Sequence, residues 1–149
     1  MVSRCRDAVD AAAWESTRRA RELRQFRECR SSQVRLGIIP YYMFIARDTG
    51  AQAYFNVPLV RAQKLYSEAI RSTSGLCRTA RGPSMSCTPG KVEVVGVQEV
   101  QGTEAFVLRF LQCRDDEWIG KVFFAKFDPK AIWCARRVLT CCGAFPALA

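Results

Sequence analysis

The most restrictive feature of the sequence is a short, nearly continuous apolar run at residues 36–46. The run is rich in β-branched and aromatic side chains, a composition typical of a strand that is covered on both faces. It is far too short for a membrane-spanning helix, which needs about 20 apolar residues. The run therefore predicts a parallel, interior strand.

Helical patterns flank this run. Residues 7–34 contain no Pro or Gly and many helix formers, which predicts a helix. From Pro58 onward, apolar residues recur at three- and four-residue steps, which predicts a second helix that ends near Gly75. Two Gly, two Pro and several Ser and Thr then predict a loop over residues 77–90.

The following segment has the pattern of extended chain. Residues 91–100 alternate in polarity, and residues 104–113 supply a second extended run. Gln101-Gly102 lies between the two runs, so an antiparallel β hairpin is predicted. A third short strand at residues 122–127 could join it.

Composition limits the function classes. A chain of 149 residues has room for one globular core. Its first residues carry acids and never become an apolar signal-peptide core, which predicts a cytoplasmic protein. Eight cysteines include no C-x-x-C pair and there is no histidine, so a zinc site would need four scattered thiolates. No metal site is expected in this chain.

The formal net charge of +9 raises the question of nucleic-acid binding. Nine of the 23 basic residues lie in residues 4–35, where they are mixed with acids as on a solvated helix face. The remaining positive charge is spread thinly, which argues against nucleic acid as a partner. A small basic binding module for nucleic acid or an acidic protein is kept as the alternative function.

Several landmarks together resemble one enzyme family. They are Val34-Arg35-Leu36-Gly37-Ile38-Ile39-Pro40-Tyr41-Tyr42, Ser74-Gly75-Leu76, Thr88-Pro89-Gly90-Lys91-Val92, and the segments 106–112 and 118–133. Their order and spacing resemble the carboxy-terminal part of the lysine 2,3-aminomutase family of radical S-adenosylmethionine (SAM) enzymes. The resemblance implies an α/β fold, in which the last strand and helix of a partial radical SAM (β/α) barrel precede a small antiparallel β hairpin.

The resemblance also implies a division of the chain. Residues 1–33 are a divergent, helical segment, residues 34–90 hold the last barrel strand, helix and loop, residues 91–133 form the hairpin region, and residues 134–149 are a divergent tail. Because both ends depart from the family, a truncated or frame-disrupted gene product is expected. A separate upstream chain that carries the rest of the barrel is a candidate partner.

Members of this family move an amino group between neighbouring carbons of an amino acid, and cofactors supply the radical chemistry. The family uses a [4Fe-4S] cluster on three cysteines at C-x-x-x-C-x-x-C spacing, SAM, and pyridoxal phosphate on a lysine. The cluster spacing does not occur here, and Met85 stands in the segment where relatives carry the lysine. Lys91 matches a structural lysine instead. No catalytic residue and no cofactor are therefore expected for this chain alone, which should be inactive.

Four residues are candidates for substrate binding through the same resemblance. Arg47 and Asp48 follow the strand where relatives hold the substrate ammonium; Asp48 would suit a cationic substrate and Arg47 an anionic one. Arg78 and Arg81 in the predicted loop could hold a carboxylate or phosphate group. A surface ion pair and solvated arginines are the alternatives. Tyr41 and Tyr42 are expected to pack between strand and helix.

Overall fold

The computed structural model describes residues 20–46 and 56–133. The first part of the predicted 7–34 helix, the Arg47-Asp48 pair and the tail at 134–149 lie outside the described residues. The chain divides into two compact units, one made of residues 1–40 and 67–79 and the other of residues 41–66 and 80–149. Within the described ranges, no helix has the length and apolar character to cross a membrane.

Helix α1 belongs to the first unit, and its described part runs over residues 20–35. Gly37 ends it with a φ of 77°, the left-handed conformation that glycine adopts without strain. The Gly37 amide donates to the Val34 carbonyl and the Ile38 amide to the Gln33 carbonyl, at 3.0 and 2.8 Å. These two bonds form a Schellman cap, which satisfies carbonyls at the helix end.

Helix α2, Leu59–Arg71, begins in the second unit and ends in the first. Its start matches the predicted start at Pro58 within one residue, and it ends about one turn before the predicted end near Gly75. Leu59 and Ala62 are buried in the core of the second unit. At the other end, the Thr73 hydroxyl donates to the Ala69 carbonyl at 3.0 Å, so one of the unpaired carbonyls of the last turn is satisfied. A 3-10 turn at Gly75–Arg78 follows.

The second unit contains a five-stranded sheet with the strands in sequence order. The first strand pairs parallel with the second, and all later neighbours pair antiparallel. Since α2 lies in the chain between the two parallel strands, they form a β-α-β connection. The strands are β1 (Tyr42–Phe44), β2 (Arg81–Cys87), β3 (Gly90–Val100), β4 (Thr103–Cys113) and β5 (Val122–Lys126).

Two sequence predictions about the sheet are wrong. The run at 36–46 is not an interior strand of the sheet that the described residues form, because only three of its residues form β1, and β1 lies at one edge of that sheet. The segment 77–90 is not all loop, because it contains β2, which lies between β1 and β3. The assignment of β1 and α2 to the end of a radical SAM barrel stays a prediction.

Strands β3 and β4 are joined by Gln101-Gly102, whose φ angles of 51° and 77° suit a tight two-residue turn. At the other end of the same pair, Gly90 lies so close to β4 that a Cβ atom there would be 2.7 Å from the Cα of Cys113 and would overlap the Gln112 carbonyl oxygen. Only glycine permits this approach. The third strand predicted at residues 122–127 corresponds to β5, which covers residues 122–126 and pairs with β4.

The core of the second unit lies against one face of the sheet. Its largest fully buried side chains are aromatic or aliphatic, and Phe110 stacks on Phe123 with 4.9 Å between ring centroids. A second 3-10 turn, Asp116–Trp118, places the Trp118 ring edge-on to Phe110 at 6.1 Å. The core consists of Ile45, Leu59, Ala62, Met85, Val92, Val94, Phe106, Leu108, Phe110, Phe123 and Ala125.

Candidate functional site

A row of aromatic rings lies on the edge strand. Tyr42 and Phe44 are two residues apart on β1, so their side chains point to the same face of the sheet. Their rings stack with 5.1 Å between centroids and 26° between planes, and Tyr41 meets Tyr42 edge-on at 4.3 Å. Tyr41 is 63% and Phe44 61% exposed. These rings present apolar surface to solvent.

Two cations, one from β2 and one from β3, lie against these rings. The Lys91 Nζ on β3 is 4.6 Å from the Tyr42 ring centroid and 5.2 Å from that of Phe44. The Arg81 guanidinium on β2 lies 5.7 Å from the Tyr42 centroid and donates to its hydroxyl at 3.2 Å. Both contacts have the geometry of cation–π interactions. Tyr41, Tyr42, Phe44, Arg81 and Lys91 are called the aromatic–cation cluster below.

The aromatic–cation cluster is positively charged. Neither Arg81 nor Lys91 forms an ion pair with a carboxylate within the described ranges. Their N–H groups therefore keep donors available for an incoming anion, since a guanidinium has five donors and an ammonium three. The arrangement can hold a ligand that combines a flat aromatic group with negative charge.

A buried carboxylate lies further along the same sheet. Glu93 on β3 accepts a hydrogen bond from the Gly82 amide at 2.9 Å and pairs with the Arg109 guanidinium on β4 at 2.5 Å. The regular register of β2 with β3 ends at Ser84, opposite Glu93. The Glu93 side chain thus replaces a backbone acceptor for Gly82. With both oxygens occupied, this carboxylate has a structural role.

A shallow depression of about 420 Å³ lies where β2, β3 and β4 end. It is lined by residues 86–91 and 112–114, including Cys87 and Cys113. Burial raises the pKa of the Cys87 thiol to about 11. Because the thiolate is the reactive form of cysteine, Cys87 is a poor nucleophile and a poor metal ligand near neutral pH.

The predicted substrate-binding residues have different surroundings. Arg78 lies in the 3-10 turn, where its Nε donates to the Thr73 carbonyl at 2.7 Å and supports the end of α2. Arg81 belongs to the aromatic–cation cluster. Arg47 and Asp48 lie outside the described residues, so their role as ligands for a substrate stays a prediction.

The expected packing of Tyr41 between strand and helix is wrong, since the residue is 63% exposed. Sequence reasoning also missed Phe44 and the contact of Lys91 with the rings. The alternation Tyr42-x-Phe44 is a signal for two rings on one face of a strand. The position of Lys91 beside them has no sequence signal, because it depends on the order of the strands.

The residues present do not fit the cofactors that the resemblance implies. The sequence lacks the C-x-x-x-C-x-x-C spacing, and no three His, Cys, Asp or Glu side chains converge within residues 20–46 and 56–133. Met85, which the resemblance aligns with the cofactor lysine of relatives, is 1% exposed and belongs to the core. A thioether forms no Schiff base, and this side chain points into packed apolar surroundings.

Comparison with known proteins finds a relative that matches part of the chain. The chain is 30% identical over 98 residues to the "Putative L-lysine 2,3-aminomutase" of Aquifex aeolicus, a match that covers 66% of this chain. The chain spans about a quarter of the length of that relative. No family model and no solved structure match it. The similarity supports a relationship to a radical SAM-like family.

Proposed function

We propose that residues 34–133 correspond to a carboxy-terminal region of a lysine 2,3-aminomutase-like protein, a region that does not itself carry the radical chemistry. The identity with the Aquifex aeolicus relative supports this proposal, as do the ordered Ser-Gly and Pro-Gly-Lys-Val landmarks. The chain alone is then inactive in amino-group migration. A separate chain that supplies the three cluster cysteines is the partner that this function would require.

The observation that carries the proposal is the environment of Met85. A lysine that binds pyridoxal phosphate must reach a cavity large enough for the cofactor, whereas Met85 is enclosed by core side chains. Its neighbour across the strand pair is Val92, which is also fully buried. Burial of Met85 and Val92 supports the proposal that the segment which carries the cofactor lysine in relatives serves for packing here.

The proposal is tested by reconstituting the purified chain anaerobically with ferrous iron and sulfide, then adding SAM and a reductant. We expect no cluster absorbance and no 5′-deoxyadenosine above the level without protein. A cluster-carrying aminomutase treated in parallel shows that the reagents work. Release of 5′-deoxyadenosine by this chain alone would overturn the proposal.

A second experiment addresses pyridoxal phosphate. The chain is incubated with the cofactor and reduced with borohydride, and modified peptides are identified by mass spectrometry. We expect no lysine to be labelled selectively over the exposed Lys64 on α2. Stoichiometric labelling of Lys91, lost in Lys91→Gln, would assign the cofactor to β3 and contradict the proposal.

A further inference from the structure

The aromatic–cation cluster combines exposed aromatic rings with positive charge. Phe44 and Tyr41 expose more than half of their side chains, although burial of such rings is favourable. Two cations from other strands converge on the same rings without a carboxylate partner in the described ranges. A natural ligand for this surface offers a flat ring to stack and an anion to pair.

Single-stranded nucleic acid has both features in every nucleotide. Its bases stack on exposed aromatic side chains, and its phosphates pair with Lys and Arg. An acidic peptide offers carboxylates but few rings. A duplex keeps its bases stacked inside, so it would reach the cations and leave the rings unused. The geometry points to the aromatic–cation cluster as a binding site for single-stranded nucleic acid.

Strand pairing brings together basic residues and rings that lie far apart in the sequence. Arg81 and Lys91 are separated from Tyr42 in the chain, and the pairing of β1 with β2 and of β2 with β3 brings them to its ring. The thin spread of basic residues along the sequence therefore says little about this surface. The net charge of +9 adds long-range attraction for a polyanion.

The site is tested on the full chain by fluorescence anisotropy with fluorescein-labelled oligo(dT) and oligo(U) of about a dozen nucleotides, within the span of known single-strand sites. We expect binding that weakens as salt rises. Phe44→Leu removes a stacking surface and should weaken binding about tenfold at every salt concentration. Because Phe44 is mostly exposed, the variant should keep the circular dichroism of the parent chain.

Lys91→Gln should act differently from Phe44→Leu. Loss of one phosphate contact is expected to reduce the slope of log affinity against log salt by roughly 0.7, the value for a single strand. Lys64→Gln is the matched control, since it removes the same charge from an exposed position on α2. Its affinity should stay within about twofold of the parent.

Several results would overturn the site. They are no binding at low salt, equal losses in Lys64→Gln and Lys91→Gln, and equal affinity for duplex DNA. Loss of binding in the α1 variant Arg24→Gln/Arg27→Gln, with Phe44→Leu unaffected, would move the interaction to that helix. Competition by polyglutamate as effective as that by unlabelled oligo(dT) would show that the rings do not stack on bases. None of these results depends on the proposed relationship to an aminomutase.

Discussion

Strands β1 and β4 carry two aromatic residues each, yet they present them in opposite ways. On β4, Phe106 and Phe110 are 1% exposed, whereas on β1 Phe44 is 61% exposed. The side-chain types are similar, so composition does not explain the difference. Strand β4 has a neighbour on each side, whereas β1 has only β2 beside it among the described strands. Edge position alone does not explain it, because β5 also has one neighbour among the described strands and its Phe123 is 5% exposed. The face of the sheet decides: Met43, next to Phe44 on β1, packs against the core, so the Phe44 ring points away from the core and remains available for a ligand.

The largest difference in stability is expected when one ring in each strand is truncated. Phe110→Ala should lower the free energy of unfolding by about 4 kcal/mol, because it removes transfer energy and leaves a cavity among Phe123 and Trp118. Phe44→Ala should cost less than about 1 kcal/mol, since its ring is mostly in water. Urea unfolding of both variants measures the two values. Equal losses would show that β1 belongs to the core.

The second test introduces a lysine into the core. Met85→Lys places an ammonium in the core and should cost about 3 kcal/mol at neutral pH. Burial lowers the pKa of the introduced group in the folded state, so the unfolded chain binds more protons and stability should rise with pH above the folded pKa. The natural Lys91 lies beside the β1 rings instead. Urea unfolding at several pH values measures the effect, and no dependence on pH would mean that the new side chain reaches solvent.

A smaller loss of stability is expected from a substitution where β3 lies close to β4. Gly90→Ala puts a methyl group against the backbone of Gln112 and Cys113 and should cost about 2 kcal/mol. Gly75→Ala is the matched control, because nothing lies within 4 Å of a Cβ atom there. Thermal unfolding compares the two. Similar melting temperatures would mean that the strands separate at this end without cost.

Substitution of Glu93 tests whether its contacts with Gly82 and Arg109 stabilise the fold. Glu93→Ala leaves the buried Gly82 amide without its acceptor and should cost about 2 kcal/mol. Glu117→Ala, at an exposed position, should change stability by less than about 0.5 kcal/mol. Urea unfolding measures both. A neutral Glu93→Ala would imply that water takes the place of the carboxylate.

The smallest effect concerns chemistry at the end of β2. Since the pKa of Cys87 is raised to about 11, roughly one thiol in a thousand is ionised at about pH 8. We expect iodoacetamide to modify the exposed Cys29 well before Cys87, with the Cys87 rate rising steeply toward the raised pKa. Peptide mass spectrometry at several times and pH values follows both sites. Equal rates would mean that the end of β2 opens readily.

Local patterns in the sequence predict part of this structure. The helix predicted from Pro58 matches the start of α2 because its apolar residues repeat at helical spacing. The alternation at 91–100 and 104–113 matches the extents of β3 and β4 closely. These elements are formed mainly by contacts between residues close in sequence, so their patterns can be recognised in the sequence.

Strand β2 could not be predicted in the same way. Pro83 lacks an amide hydrogen, and prolines are normally confined to edge strands. Here Pro83 lies in a strand with neighbours on both sides, where the β1 pairing is irregular and the β3 pairing begins only at Ser84. The aromatic–cation cluster could not be predicted either, because it depends on β2. Arg81 lies on β2, and the pairing of β2 with both β1 and β3 brings Lys91 to the rings.

The parallel pairing of β1 with β2 has a kinetic consequence. Tyr42 and Arg81 are 39 positions apart in the chain, whereas Glu93 and Arg109, on antiparallel neighbours, are 16 apart. Closing a longer loop costs more conformational entropy before its contacts form. We therefore expect the antiparallel strands to assemble first and β1 to dock late. The rings on β1 would then gain their two cations only in the last stage of folding.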